Sequence, residues 1–173
     1  ANLSGANLSG ANLSFALMDY SVLDSAILYE SLLYKAELSY ANLNNTNLSH
    51  ANLIGTVLAG AFLIGAGLSY ANLSYTYLDG ANLSYANLNH ANLSNWRYWA
   101  GDIGFGSIEG ADLSYANLSY ANLRGAHLYG SNLSHANLSH ADLSPACLMN
   151  WQQRSCIDGN QMYTAMTDIT GVD

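Results

Sequence analysis

Apolar residues recur every five positions along this chain. From Leu3 to Leu148, every fifth position holds a large apolar or aromatic residue, thirty positions in all, and twenty-six of them are leucine. The four exceptions are Met18, Tyr98, Ile103 and Ile108. Two places before each of these positions the residue is small, alanine in twenty-one units, and only Trp96 is large. The chain is therefore a tandem array of five-residue units, each with one small and one large apolar residue.

A period of five matches neither an α-helix nor a flat strand. On a helix, each leucine would be rotated by about 140° from the last, so the leucines would surround the cylinder instead of forming a stripe. On a straight strand, an odd spacing would send alternate leucines to opposite faces. A chain that turns once in each unit keeps all leucines inside a polygon. The period therefore predicts an all-β solenoid with closed walls.

Units such as Ala1-Asn2-Leu3-Ser4-Gly5 and Ala111-Asp112-Leu113-Ser114-Tyr115 resemble the A(D/N)LXX unit of pentapeptide repeat proteins. The resemblance covers about residues 1–150. It implies a right-handed quadrilateral β-helix with four units per coil, one unit per wall, and the leucine and the small residue inward. We expect the outward Asn and Ser side chains to form ladders from coil to coil.

The second position of a unit is normally polar and outward, but six units carry an aliphatic residue or phenylalanine there. These residues are Leu17, Val22, Ile27, Leu32, Val57 and Phe62. With four units per coil, the first four residues form a belt around one coil. The last two lie forty residues after Leu17 and Val22, so each pair is expected to share a wall. Three interpretations remain open: contact with a partner or within an assembly, coverage by another segment, and drift of isolated exposed apolar residues.

A second break in the pattern is predicted to be an outward bulge at about residues 96–100. Trp96 does not fit an alanine position and Tyr98 fits a leucine position poorly, and Arg97 and Trp99 complete the group. These residue types are enriched in binding hot spots. The aromatic rings either bind a partner or fold back over the wall. Units 101–105 and 106–110 are still in phase, so both are expected to continue the solenoid as degenerate rungs.

The fifth position of each unit is predicted to form the outer corner, where offsets of twenty residues stack rings. Tyr20 is expected over Tyr40, and His50, Tyr70 and His90 are expected in one column. Tyr115 over His135 and Tyr120 over His140 are expected in two further columns. Such stacking contributes modestly to stability. A metal site at His135 and His140 is disfavoured because the two side chains lie on neighbouring walls and point apart.

Residues 151–173 lose the five-residue period and are predicted to be a C-terminal cap. Met162, Tyr163, Met166 and Ile169 recur at near-helical spacing, so the cap is expected to contain a helix. Cys147 and Cys156 either form a disulfide between cap and solenoid or remain free thiols. Residue 1 already begins a complete unit, which suggests end-to-end contact, homo-oligomer contact or residues upstream.

Composition and charge exclude several classes of function. Four Lys and Arg residues against twelve Asp and Glu residues give a formal net charge of −8, which disfavours direct binding to nucleic-acid phosphates. The apolar runs are too short to span a bilayer. The chain has no phosphate-binding glycine loop, no metal-spaced Cys or His set and no nucleophile elbow. A non-enzyme without cofactor or metal is therefore expected.

The preferred interpretation of the sequence is an interaction scaffold that binds another protein or a larger assembly through the belt and the bulge. Some pentapeptide repeat relatives bind DNA gyrase as acidic rods, but only Asp102 and Asp142 are expected on one wall at the repeat offset. Binding of ice or a polymer surface by flat Ser and Asn walls is a further alternative. The resemblance implies a bacterial setting, especially cyanobacterial, in the cytoplasm or in the thylakoid lumen or periplasm.

Overall fold

The computed structural model describes residues 1–94, 108, 110–126, 128 and 131–143. These residues form no helix and no strand longer than one residue; instead, 21 single-residue parallel β-bridges join successive coils. Asn2 pairs with Val22, Asn7 with Ile27, and the series continues at offsets of twenty residues to Asn72 and Asn92. One coil therefore consists of four units, and the β-solenoid predicted from the sequence is confirmed for the described residues.

The coils are described here by position, wall and order. Positions 1 to 5 are the residues of one unit in chain order. Faces A, B, C and D are the four walls that begin with the units at Ala1, Ala6, Ala11 and Ala16. Coils 1 to 4 are residues 1–20, 21–40, 41–60 and 61–80, and coil 5 begins at Ala81.

Backbone hydrogen bonds join each coil to both of its neighbours. Position 2 donates its N–H to a position 1 carbonyl of the preceding coil, as Val22 does to Ala1 at 2.8 Å. Positions 3 and 5 donate to the following coil, as Leu3 does to Val22 at 2.7 Å and Gly5 to Asp24 at 2.9 Å. The donors and acceptors of the walls are therefore used along the solenoid axis, as buried backbone groups require.

A tight turn at each corner explains the period of five. The position 1 N–H donates to the position 3 carbonyl of the preceding unit, as Ala6 does to Leu3 at 3.0 Å, and position 5 has a left-handed backbone. Position 5 is the third residue of this four-residue turn, and a positive φ there is typical of a type II turn. Sixteen residues other than glycine adopt this conformation, with φ between 52° and 61°. The left-handed conformation costs an L-residue about 1–2 kcal/mol, so these residues do not favour it on their own. The geometry of the coil therefore imposes it at the corners.

The leucines and the small position 1 residues form one continuous core along the axis. From Leu23 onward nearly all the described core residues are buried, with exposed fractions of 5% or less, and Leu138, Ala141 and Leu143 are partly buried. Leu3, Leu8, Leu13 and Met18 of coil 1 are also partly buried and pack against this core. The inward placement of the leucines that the period predicted is therefore confirmed.

Hydroxyl groups at position 1 enter this core, and most of them donate to corner carbonyls. Thr46 Oγ1 donates to the Leu23 carbonyl at 2.8 Å, and Ser31 Oγ donates to the Leu28 carbonyl at 2.8 Å. Ser21 Oγ is buried as well, but it has no hydrogen-bond partner among the described residues. An unpaired buried hydroxyl destabilises a fold because it loses its bonds to water.

We expect Ser21→Ala to raise the free energy of unfolding by about 1 kcal/mol, since it removes an unpaired polar atom and keeps a small side chain. Ser31→Ala is the matched control and should be neutral or destabilising, because its hydroxyl is paired. Urea unfolding followed by circular dichroism measures both changes. Equal effects of the two substitutions would contradict this account of Ser21.

The register of the coils jumps by ten residues after coil 5 begins. Asn82 pairs with Asp112, Asn87 with Asn117 and Asn92 with Asn122, all at offsets of thirty residues. Beyond these pairs the offset returns to twenty, beginning with Asp112 and Asn132. An offset of thirty residues is ten more than one coil needs. The chain between Ser94 and Asp112 therefore contains two units in excess of the single unit that completes the coil.

Ile108 identifies which unit completes coil 5. Its side chain is buried in the core, and its carbonyl accepts a hydrogen bond from Ser131 Oγ. The separation of 23 residues equals that between Thr46 and its acceptor Leu23, so Ile108 occupies a position 3 on face D. The prediction that units 101–105 and 106–110 both continue the solenoid is therefore wrong, because the pairing of Asn82 with Asp112 leaves room for one unit on face D and Ile108 belongs to that unit. The bulge predicted at residues 96–100 and the cap predicted at 151–173 lie outside the described residues, as do Cys147 and Cys156.

We expect a chain that lacks residues 96–105 to keep its fold, since this deletion removes two units and preserves the pairing of Asn82 with Asp112. The free energy of unfolding should change by only about 1 kcal/mol, because loop length affects stability weakly. Deletion of residues 116–125 is the matched control. It removes two units from within the coils, so it should cost several kcal/mol through lost coil-to-coil contacts. Urea unfolding of both variants tests the register, and equal losses would contradict it.

Candidate interaction surface

The four belt residues of the first two coils all lie on the outside of the solenoid. Leu17 is on face D of coil 1, and Val22, Ile27 and Leu32 follow on faces A, B and C of coil 2. Leu17 is 79% exposed, and Ile27 and Leu32 are exposed as well. Each occupies a position 2 and forms the β-bridge of its unit. The belt thus surrounds the solenoid once and interrupts its polar surface.

Val57 and Phe62 share faces with earlier belt residues, as the sequence predicted. Val57 is on face D with Leu17, and Phe62, which is 47% exposed, is on face A with Val22. Glu37 lies between the members of the first pair, and Asn42 between those of the second. The apolar surface is therefore interrupted on both faces by a polar residue in the intervening coil.

Aromatic corner residues that the sequence analysis did not assign to the belt widen it around Leu17. Phe15 and Tyr20 are exposed on the two sides of Leu17 in coil 1. The Phe15 ring packs edge-on against Tyr34 with centroids 5.4 Å apart, and the Tyr20 ring stacks on Tyr40 at 5.3 Å. The sequence contained a signal for this cluster. Residue 15 is position 5 of one unit, and residues 17 and 20 are positions 2 and 5 of the next unit, so the three side chains lie on neighbouring surfaces.

Asparagine at position 2 has a local structural role that an apolar residue does not fulfil. Asn2 Oδ1 accepts the backbone N–H of Ser4 at 3.1 Å, and the same bond recurs from position 4 to position 2 in units on faces A, B and C. Such side-chain to backbone bonds stabilise turns. An apolar side chain has no acceptor oxygen, so each belt residue gives up this bond.

Polar residues of the preceding coil supply the missing acceptor in two units, that of Glu37, which is not a belt residue, and that of the belt residue Phe62. Ser39 follows Glu37, and its N–H donates to Asp19 Oδ1 at 2.7 Å. Ile64 follows Phe62, and its N–H donates to Asn44 Oδ1 at 2.9 Å. Both acceptors lie twenty residues earlier, at position 4 of the coil below. The fold therefore accommodates a non-capping residue at position 2 by recruiting an oxygen from a neighbouring coil.

Ladders of asparagine side chains between coils are present in the later coils. The four amide bonds found there join Asn92 to Asn72, Asn117 to Asn87, Asn132 to Asp112 and Asn137 to Asn117, at 3.1–3.4 Å. Elsewhere in the described coils, the position 2 amide oxygens mainly accept their own position 4 N–H. The expected ladders are thus confirmed in part, and in each of these four bonds the acceptor oxygen also accepts the position 4 N–H of its own unit.

The rings at the corners form longer columns than the sequence predicted. The stack of Tyr20 on Tyr40 is confirmed. His50, Tyr70 and His90 also stack, and this column continues through Tyr120 to His140 with centroids 4.7–5.0 Å apart. The expectation of a separate column for Tyr120 and His140 is wrong, because the ten-residue jump places Tyr120 directly over His90. The remaining column consists of Tyr85, Tyr115 and His135.

Carboxylates border the belt in the first two coils. Asp19, Glu30 and Glu37 are exposed, and Asp24 is half-buried. The Glu30 carboxylate raises the pKa of Tyr29 through a hydrogen bond and through its negative charge. Lys35, the only lysine of the chain, lies 5.4 Å from the centroid of the Tyr34 ring. The surface of the first two coils therefore combines the apolar belt with net negative charge.

The described residues do not bring together a set of groups for metal binding. No three His, Cys, Asp or Glu side chains among them are close enough to hold one ion. In the same part of the chain, no helix has the length and apolar character needed to cross a membrane. Asp102, expected on one wall with Asp142, and Trp96, Arg97, Tyr98 and Trp99 lie outside the described residues.

Comparison with known proteins identifies the repeat. The family model of pentapeptide repeats matches eight copies over residues 1–33, 31–69, 63–95 and 108–144. The match stops and resumes where the register of the coils jumps. None of the curated proteins compared with the chain is significantly similar to it.

Several solved structures are similar to this chain. QnrB1, a plasmid-mediated fluoroquinolone resistance protein, is 20% identical with a TM-score of 0.68, and the match covers 78% of this chain and 63% of QnrB1. HetL, involved in heterocyst differentiation regulation in the cyanobacterium Nostoc, is 35% identical over 85% of this chain and 76% of HetL, with a TM-score of 0.33. A thylakoid-lumen pentapeptide repeat protein of Arabidopsis thaliana is 24% identical over 82% of this chain and 70% of its own, with a TM-score of 0.35.

The four-sided coil, the inward leucines and the family match agree over most of the chain. The similarity to QnrB1 supports the same right-handed β-helix at the level of the fold. The chain belongs to the pentapeptide repeat family.

Proposed function

We propose that this chain is a non-enzymatic module that binds another protein or a larger assembly. Its contact surface consists of the apolar belt (Leu17, Val22, Ile27, Leu32, Val57 and Phe62) together with the aromatic segment Trp96, Arg97, Tyr98 and Trp99. The observation that carries the proposal is Leu17, which is 79% exposed between the exposed rings of Phe15 and Tyr20.

The energetics of position 2 support a role for the belt beyond the fold. Asparagine at this position makes a turn-stabilising hydrogen bond, and such a bond contributes about 0.5–1.5 kcal/mol. Four consecutive units give up that bond and expose an aliphatic side chain instead. Single exposed apolar residues are ordinary, but a cluster of them rimmed by polar groups is typical of an interaction site, and Phe15, Leu17 and Tyr20 form such a cluster.

The rigidity of the solenoid also supports a binding role. The corners and walls are fixed by backbone hydrogen bonds in both axial directions, so the belt is presented without a large loss of conformational entropy on binding. Of the similar proteins, QnrB1 is a fluoroquinolone resistance protein and HetL is involved in the regulation of heterocyst differentiation. Roles of this kind are consistent with a module that acts by binding.

Mimicry of DNA toward gyrase has less support from the charge distribution. Among the described residues, no carboxylate lies directly over another at the same position of the adjacent coil, so the acidic groups form no continuous row. Asp112, for example, lies between Asn82 and Asn132. A gyrase supercoiling assay tests this alternative, and inhibition or protection from a drug would support it over the belt. Ice or surface binding has no specific observation in its favour.

The belt is tested by affinity capture with the purified chain and the double variant Leu17→Asp/Phe62→Asp. We expect the double variant to weaken capture of the specific partner by at least about tenfold, since two buried charges oppose an apolar contact. Asn87→Asp/Asn137→Asp adds the same charge at position 2 of face B and is the matched control. Unchanged capture by the belt variant, or equal loss in the control, would contradict the proposed surface.

Trp96→Ala/Trp99→Ala tests the aromatic segment separately in the same capture experiment. Loss of the partner with this variant and retention with the belt variant would assign binding to the segment alone. Retention with both double variants would contradict the whole contact surface.

A further inference from the structure

One column of stacked rings begins in the middle of the solenoid. At the corner between faces A and B, the rings of Tyr85, Tyr115 and His135 stack with centroids 4.9 and 4.8 Å apart. The corner position of the preceding coil is Gly65, which carries no ring. Tyr85 is 63% exposed, compared with 50% for Tyr115 in the middle of the same column. The N-terminal face of the Tyr85 ring therefore has no ring beneath it.

The interval below Tyr85 has the thickness of one missing ring. Corner side chains lean toward the following coil, and Asn45 Oδ1 lies 3.0 Å from where a Cβ on Gly65 would be. The backbone positions of Asn45 and Tyr85 are two coils apart, which is about 9.6 Å at a rung spacing of ~4.8 Å. In the neighbouring column, Tyr70 fills the equivalent interval with a ring that lies 5.0 and 4.7 Å from its two neighbours.

The sides of this interval are apolar toward face A and open toward face B. Phe62 and Ile64 precede Gly65 in the same coil, and both side chains are exposed. Gly67 follows at position 2 of face B, where a Cβ would have only ordinary contacts, at 3.6 Å to Ser49 Oγ and 3.8 Å to Asn47 Oδ1. The absent side chain therefore leaves one side of the corner accessible, whereas Asn87 and Asn117 occupy position 2 in the next coils.

We infer that the corner at Gly65 is a slot for one planar aromatic side chain of the partner protein, a tyrosine or tryptophan that stacks on Tyr85. Every occupied interval of the two long columns holds an aromatic ring at 4.7–5.0 Å, so the slot has the shape of the group that the solenoid itself places there. The Asn45 amide lies on the opposite side of the interval and would face the other side of the inserted ring. The identity of the occupant as a protein side chain rests on the proposed function; the slot itself does not.

The slot is tested with N-acetyl-tryptophanamide as a probe and N-acetyl-leucinamide as its aliphatic control. Both are titrated into the isotope-labelled full chain, and the NMR signals of Tyr85 and Ile64 are followed. We expect the aromatic probe to move both signals in a saturable manner at millimolar concentration, as suits a single stacking contact. Equal shifts with the leucine probe would overturn the inference, since they would indicate general apolar contact.

Gly65→Tyr fills the slot from within and should reduce the probe-induced shifts at least about fivefold, because the new ring takes the stacking place. Gly80→Tyr is the matched control: it also places a tyrosine at a left-handed corner, with φ of 65° and no heavy atom within 4 Å of the new Cβ. It should leave the shifts unchanged. If Gly65→Tyr does not fold, Tyr85→Leu removes the stacking surface and should give the same loss. Full binding by a folded Gly65→Tyr or Tyr85→Leu variant would overturn the slot.

The same variants separate the slot from the proposed function. Loss of the captured partner with Leu17→Asp/Phe62→Asp and retention with Gly65→Tyr would keep the interaction surface and reject the slot as part of it. Loss with Gly65→Tyr and not with Gly80→Tyr would support the slot as a partner site. Binding of the free probe at Tyr85 without any captured partner would support the slot and contradict the proposed function.

Discussion

The corner turn is the constraint on which the rest of this structure depends. Each unit closes with a hydrogen bond from position 1 to the position 3 carbonyl before it, and position 5 takes a left-handed backbone to allow this. Four such turns bring the chain back over itself after twenty residues. The axial hydrogen bonds, the dry core and the columns of rings all follow from this return, because they join residues that the turn places in register.

The same constraint explains how the solenoid tolerates additional chain. Because the described units share one backbone pattern, two further units between Ser94 and Asp112 change which units pair without changing how they pair. The observed register places Tyr115 over Tyr85 and Tyr120 over His90. A continuous register would instead have placed Tyr115 over Asn95 and Tyr120 over Ala100. The described register is therefore the one that extends both columns of rings.

Position 2 is where structure and binding compete. An asparagine there stabilises its own turn and, in the later coils, the asparagine of the next coil. An apolar residue contributes neither bond, and in the unit of Phe62 the fold compensates with Asn44 from the coil below, as it does with Asp19 in the unit of Glu37. The outer surface is therefore divided into a later part whose polar groups bond to each other and an earlier part that exposes apolar groups.

The sequence by itself determined the repeat unit and the inward leucines, because a period of five fits neither a helix nor a flat strand. Four units per coil, and with it the stack of Tyr20 on Tyr40, followed from the resemblance of the units to the pentapeptide repeat family. The sequence also indicated the belt, since position 2 is outward in every unit. The ten-residue jump was not predictable, because units 101–105 and 106–110 have equally good patterns and only pairing across coils distinguishes them. The merged ring column, the compensation by Asn44 and the interval above Gly65 likewise depend on which residue lies one coil away. That choice is made by the tertiary register, and no local pattern within a unit encodes it.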